Sequence, residues 1–375
     1  MHRTLRGVVC GLAGAAAVAG ACSSPTGVTP PPVGPPSLTC PGVTTAEAPV
    51  GTTTDRVTFA PPTLTGGTPA VTVSCLPASG STFPLGSTTV TCQATDAIGR
   101  TAVCTASVVV SAHTIAAMTV VAFGDSITAG ENGLPGSNNA SPPVPCAGGS
   151  TTSVASRRQT LRGAGVPATH ETPQFIDGPN SYPTQLQNTL EADFPSQTIA
   201  VLNEGMSEET AASGVGRLSN IVLPECRPDT LLLLEGINDL AGAQYSMSAM
   251  TQVTADLQTD IQNASAAGVS FVFVSTLLPQ GTCTMTTCRG SNVNNQAIVQ
   301  ANKLITAMVA GESASGAVLV DVNAAYTAVD SPNFTTLIDT DGLHPTPAGN
   351  AKTAQTFLSA ILAKVPVLSH RPARR

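Results

Sequence analysis

Tryptophan is absent from this chain of 375 residues, aromatic residues make up 3% of it and charged residues only 10%. So few aromatics leave no platform on which bases could stack, no stripe of Lys or Arg marks any segment, and the formal net charge is -7. Those absences exclude nucleic acid as a partner. The only basic cluster of note, Arg157, Arg158 and Arg162, reads as a solvated loop face. Long apolar runs are missing too. The stretch "GVVCGLAGAAAVAGA" at 7–21 is too short and too weakly apolar to span a bilayer as a mature helix, and no other segment does better.

What stands at the start of the chain is the layout of an export signal: the basic "MHRTLR" followed by that modest apolar run, over residues 1–21. The junction "AVAGAC" resembles a bacterial lipobox, with Ala19 where the motif prefers a larger aliphatic residue. The resemblance implies that Cys22 is the lipid-modified first residue of the mature chain and its only membrane attachment, in a cell-envelope lipoprotein. Cleavage without lipidation would give a secreted protein instead. Residues 22–37, containing "SSPTGVTPPPVGPPS", form a Pro-rich linker. At about 3.1 Å per residue in an extended polyproline conformation, it can hold a folded domain tens of ångströms from a surface.

Setting aside Cys10 and Cys22 leaves an even set, Cys40, Cys75, Cys92, Cys104, Cys146, Cys226, Cys283 and Cys288, as expected for disulfides formed outside the cytoplasm. Cys283 and Cys288 lack a second Cys/His pair at ligand spacing, so zinc is the poorer reading and no metal is implied.

Residues 38–111 alternate with the period of strands in "DRVTFA", "AVTVSC", "STTVTCQATD" and "TAVCTASVVV", with turns at "TLTGGTP" and "DAIGR". The pattern predicts a small β-sandwich. Cys40-Pro41 together with the stretch 73–110 resembles a hyalin repeat module, an immunoglobulin-like domain of extracellular proteins. The resemblance implies either adhesion to an extracellular glycan or protein, or a spacer without a ligand. It also suggests that Cys40 pairs with Cys104 across terminal strands and Cys75 with Cys92 across the sandwich.

After residue 114 the periodicity changes. "MTVVAF", "TIAVLN", "TLLLLEG", "VSFVFVST" and "AVLVDV" are short, nearly continuous apolar runs, the mark of strands buried on both faces of a parallel sheet. Helical patterns at 181–194, 250–268, 292–311 and 346–365 alternate with them, which predicts a three-layer α/β domain over 115–366. Thr346 and Pro347 mark the start of the last helix as N-cap and first helical residue. Residues 131–180 are Gly, Pro and Ser rich without periodicity, an insertion long enough to be functional or disordered, with Cys146 tethering it to Cys226.

The chemistry collects at the carboxyl ends of the strands, the edge where ligands bind in an open parallel sheet. Gly124-Asp125-Ser126 follows the first, Gly205 the second, and Gly236-Ile237-Asn238-Asp239 the third. Singly, each is ordinary turn material. A nucleophilic serine also needs a base, and among the five histidines four fall in the signal, the interdomain linker, the insertion or the tail (His2, His113, His170, His370). His344, in "DTDGLHPT" before the last helix, is left, with Asp341 three residues earlier placed either to orient the imidazole or to make an Asx turn with Gly342. Donors for an oxyanion would be the amides of Ser126 and Gly205 and the side-chain amide of Asn238. No G-x-S-x-G is present, against the α/β-hydrolase elbow.

These four blocks, in this order, resemble the SGNH (GDSL-type) hydrolases. Glu208 stands where that family often has Gly. The resemblance implies a flavodoxin-like fold and a serine esterase with Ser126 as nucleophile, His344 as base and Asp341 as its orienter, working without metal or organic cofactor. Lipid esters, thioesters and acetylated polysaccharides all fall within the family's range. The lack of a long apolar stretch in 131–180 favours short-acyl or carbohydrate-linked esters over a lipase, lysophospholipase or thioesterase. A non-catalytic adhesin that binds glycans is the rival from another class.

Overall fold

Alternation in the N-terminal part becomes eight short strands in the computed structural model, which describes residues 33–117, 119–131, 178–282 and 295–368. Strands β2 (Thr44–Glu47), β8 (Thr101–Ser111), β7 (Gly86–Thr95) and β5 (Thr72–Leu76) make one sheet in that order. Strands β1 (Ser37–Thr39) and β4 (Thr63–Thr65) pair as one ribbon, and β3 (Thr54–Val57) and β6 (Ser81–Pro84) as another. Along β7 the side chains of Val90, Cys92 and Ala94 are buried while Thr89, Thr91 and Gln93 are exposed. This period of two turns one face onto a small core of Ala48, Val57, Phe83, Val90, Cys92, Val108 and Val110. The β7–β8 turn is braced by Asp96, whose carboxylate accepts from the amides of Ile98 and Arg100 and from Arg100 Nε at 2.8 to 3.2 Å. Burial pushes Asp96 up, but the Thr68 and Arg100 amides, the Arg100 side-chain bond and the Arg100 charge carry it down to about 2.

Two disulfides cross-link this module, Cys40–Cys104 and Cys75–Cys92. The second does not run across the sandwich as expected from sequence. Cys75 and Cys92 are register partners on the adjacent antiparallel strands β5 and β7, with Cα atoms 4.0 Å apart, so the bridge lies within one sheet. Directly opposed residues share a face, which makes lateral neighbours the nearest partners. Cys226 is disulfide-bonded. Its expected partner Cys146, the expected anchor Cys22, and Cys283 and Cys288 lie outside the described residues.

The second half is built on a parallel sheet of five strands, β10 (Thr119–Gly124), β11 (Ala200–Gly205), β12 (Thr230–Leu234), β13 (Phe271–Ser275) and β14 (Ala317–Val320), in the spatial order β11-β10-β12-β13-β14. Every residue of β12, "TLLLL", is buried, as covering on both faces requires. Helices Tyr182–Asp193, Val322–Asp330 and Pro347–Lys364 pack against one another in one layer, and helices Ala211–Arg217, Met247–Ala266 and Asn295–Gly311 in the other. Thr346 Oγ1 accepts from the Gly349 amide at 3.1 Å, with Pro347 as the first helical residue. The helix expected from 250 onward begins at Met247, because Ser246 caps it by accepting from the Ala249 amide. Outside the sheet, β9 (Thr114–Ile115) pairs with β15 (Val367–Leu368), and Gln197 holds the Ile115 backbone through both its N–H and its C=O.

Strand β10 sits between β11 and β12, so the connections leaving β10 and β11 depart in opposite directions along the sheet. A crevice opens at such a switch point, beyond the carboxyl ends of the strands. No helix among the described residues is long and apolar enough to cross a membrane.

Candidate active site

The turn after β10 is dictated by steric fit. Gly124 has φ +155°, and a Cβ there would lie 1.9 Å from the carbonyl oxygen of Leu234 on β12. Asp125 then caps the single-turn helix Ser126–Ala129, its Oδ1 accepting from the Ile127 amide at 2.9 Å. Burial pushes the Asp125 carboxyl up to about 7, against the opposing pull of the Ile127 amide and His344. The cap fixes Ser126 at the head of the turn, above the end of the sheet.

His344 comes to the same place from the far end of the sequence. Its loop is pinned by an isolated bridge between Ile338 and Pro345, by the Asp339 amide donating to the His344 carbonyl, and by the Thr346 amide donating to the Leu337 carbonyl. Within the loop, Asp341 Oδ1 accepts from the amides of Leu343 and His344, each at 3.0 Å. This leaves Oδ2 for the imidazole Nδ1 at 2.5 Å, while Nε2 lies 2.9 Å from Ser126 Oγ. Burial raises the Asp341 carboxyl, but His344 and the two amides hold it below the usual carboxylate range. An anionic Asp341 keeps the imidazole proton on Nδ1 and turns the lone pair of Nε2 toward the serine hydroxyl. Ser126, Asp341 and His344 are all buried, 2 to 4% exposed, so these contacts are little screened by solvent.

Gly205 lies beside Gly124 in register at the end of β11. A Cβ there would fall 2.0 Å from the Ala129 amide nitrogen, so the close approach is made by the helix that carries Ser126. The Gly205 amide donates to Asn203 Oδ1 at 2.9 Å. Asn238 is the second residue of the short helix Ile237–Gly242, and its Nδ2 donates to the Glu209 carbonyl at 2.8 Å, which fixes the side-chain amide near the same edge. Asp239 Oδ2 accepts from the Ala211 amide and ties the third loop to the second. Glu208 is exposed and has φ +60°, the left-handed region that favours glycine.

Three features were not anticipated from sequence. Glu131, buried, places Oε2 3.6 Å from His344 Nε2. Arg217 holds buried Glu209 through Nε at 2.6 Å and a second short bond from Nη2, reaches the Glu204 carbonyl at 2.9 Å, and lies 4.1 Å over the Phe123 ring. Behind it, the carboxyl oxygens of Glu235 and Asp260 are buried with no hydrogen-bond partner among the described residues. Burial and repulsion from Glu209 raise both, Asp260 to about 8 and Glu235 well above its ordinary value. Among the described residues no group of His, Cys, Asp and Glu is arranged to hold a metal ion.

A hydroxyl, an imidazole and a carboxylate joined in this order can move a proton off the serine oxygen and back, the chemistry of acyl transfer. Comparison with known proteins bears on the same region. The family model of the GDSL-like lipase/acylhydrolases matches residues 122–352, and that of the HYR domain matches residues 32–110. Among curated proteins no sequence matches. Similar solved structures include an acetylxylan esterase from Geobacillus stearothermophilus, 20% identical over 65% of this chain and 94% of that one, with a TM-score of 0.44. A lipase/acylhydrolase from Enterococcus faecalis is 18% identical over 67% of this chain and 99% of that one, also with a TM-score of 0.44. The chain belongs to the GDSL-like lipase/acylhydrolase family, a carboxylic ester hydrolase that carries an HYR domain ahead of its α/β domain.

Proposed function

We propose that the protein is an exported serine esterase in which Ser126, His344 and Asp341 act as a catalytic triad on short-acyl or carbohydrate-linked esters. The observation that carries this reading is the unbroken chain from Ser126 Oγ to His344 Nε2 at 2.9 Å and from Nδ1 to Asp341 Oδ2 at 2.5 Å. Ser126 Oγ attacks the acyl carbonyl carbon as His344 Nε2 takes its proton. The carbon–alcohol bond then breaks, and the imidazolium returns that proton to the departing alcohol oxygen. Water attacks the acyl-enzyme by the same route, giving its proton to Nε2 and releasing the acid as Ser126 is reprotonated.

The negative charge on the carbonyl oxygen falls to the Ser126 amide and Asn238 Nδ2, with the Gly205 amide joining them if it exchanges Asn203 Oδ1 for the oxyanion. Asn203 and Glu209 meanwhile hold these donors in place. The signal-like N-terminus and the Pro-rich segment support export, and the "AVAGAC" junction supports an anchor at Cys22. The HYR domain would then stand between anchor and enzyme, with a glycan or protein of the cell exterior as its partner.

A fluorophosphonate probe should add one label per chain on the peptide containing Ser126, and labelling elsewhere overturns the nucleophile. An acyl-chain series of p-nitrophenyl esters should give its highest kcat/KM with acetyl or butyryl, whereas a maximum at long chains would make the protein a lipase.

A further inference from the structure

The turn that presents Ser126 does not stop at the serine. After one helical turn Gly130 takes a left-handed conformation, φ +89°, and its amide closes back on the carbonyls of Ser126 and Ile127. The next amide, that of Glu131, donates to the Ser126 carbonyl at 3.0 Å. The backbone hydrogen bond that ends the turn thus also fixes where Glu131 begins. Its carboxylate is carried to the Nε2 side of the imidazole, 3.6 Å away, on the nitrogen that also faces Ser126 Oγ. Glu131 is 3% exposed and His344 2%, so water does little to screen the pair.

This arrangement gives the imidazole a carboxylate on each side, Asp341 at Nδ1 and Glu131 near Nε2. We infer that Glu131 is a positioning residue that acts through His344, stabilising the imidazolium formed each time Nε2 takes a proton from Ser126 or from the hydrolytic water. The inference rests on the triad reading above. At 3.6 Å the carboxylate is too far for a good hydrogen bond and close enough for strong attraction to a charge. No proton passes to Glu131. It lowers the energy of the charged His344 and leaves Nε2–H in place for transfer to the alcohol oxygen or back to Ser126. Among the described residues, the charged groups facing the imidazole are Asp341 from its own loop and Asp125 and Glu131 from the nucleophile turn. Asp125 is the weaker partner in the acid range, because its burial favours the neutral form.

The sign follows from the charge. Removing a carboxylate beside His344 disfavours the imidazolium, so the imidazole deprotonates at lower pH and stays an active base further into acid. In Glu131→Gln the acid limb of the pH profile of kcat/KM should move down by about 1 unit or more. The plateau kcat should fall roughly tenfold, the rate equivalent of one pKa unit of lost imidazolium stabilisation. Glu131→Asp keeps the charge but shortens its reach, and should lie between the parent and Glu131→Gln.

A packing role alone would lower activity without moving the limb, so an acid limb for a folded Glu131→Gln that coincides with the parent's overturns the inference. Should Glu131→Gln fail to fold, the same comparison is made with Glu131→Asp, and coincidence with the parent overturns it equally. The triad is tested apart from this: loss of activity in His344→Ala together with an unmoved limb in Glu131→Gln defeats the inference alone, whereas an active His344→Ala defeats the triad.

Discussion

The two halves of the chain solve the problem of burial differently. The β module assembles a core of only seven buried residues and adds two disulfides, and its one buried acid, Asp96, is satisfied by amides and Arg100 within a turn. The α/β domain buries full strands and helix faces. Inside that larger core it carries Asp125, Glu131, Glu209, Arg217, Glu235, Asp260, Asp341 and His344. A small core has little apolar stabilisation to set against the cost of burying charge, so covalent links take over there. A large core can carry that cost, and ionisable groups held away from water are what acid–base chemistry needs. The difference explains why the chemistry sits in the second half while the first can serve as a support.

The largest effect is expected for Asp341→Asn, which keeps the shape of the loop but removes the charge that holds the proton on Nδ1. Steady-state assays should show kcat lower by about 10^4-fold, with the melting of the β module unchanged. Next comes Arg217→Ala, which leaves Glu209 buried without its cation. The α/β domain should lose about 3 to 5 kcal/mol in a denaturant titration while the β module is untouched. The reverse pattern is expected for the double variant Cys40→Ala/Cys104→Ala, which should destabilise the β module by about 2 to 5 kcal/mol and leave kcat/KM at the parent value.

The smallest effect concerns pH. Asp260 binds its proton more tightly folded than unfolded, so its contribution to stability is complete below the unfolded pKa of about 4 and is lost as pH rises toward about 8. Asp260→Asn should therefore raise the Tm of the α/β domain at pH 8 by roughly 5 °C, with no gain at pH 4. Calorimetry at the two pH values checks it.

Much of the frame was legible because it is written in local pattern. "TLLLL" could only be a strand covered on both faces, and Thr346-Pro347 could only open a helix. Placing Ser126 and Asn238 at one edge required nothing beyond the rule that βα loops share a side of a parallel sheet, whereas His344, in a loop between two helices, was reached by elimination among the histidines. Short helices such as Ile237–Gly242 and Val322–Asp330 escaped because they offer too few turns for a period of 3.6 to show. The Cys75–Cys92 bridge was misplaced because choosing between a lateral and a facing partner needs strand register. Glu131 was invisible for a related reason, since its reach to His344 depends on a left-handed Gly130 and on a residue more than two hundred positions away. The Arg217–Glu209 pair lies deep in the core, where an acid and a base in the sequence look like any other surface charges.

If Ser126 performs the reaction, a single substitution suffices to abolish it. Ser126→Ala removes the oxygen that lies 2.9 Å from His344 Nε2 and little else. Hydrolysis of p-nitrophenyl acetate by the purified variant should fall to the background rate while its circular dichroism spectrum and melting curve match the parent's. A folded Ser126→Ala that hydrolyses the ester at the parental rate would contradict Ser126 as the nucleophile.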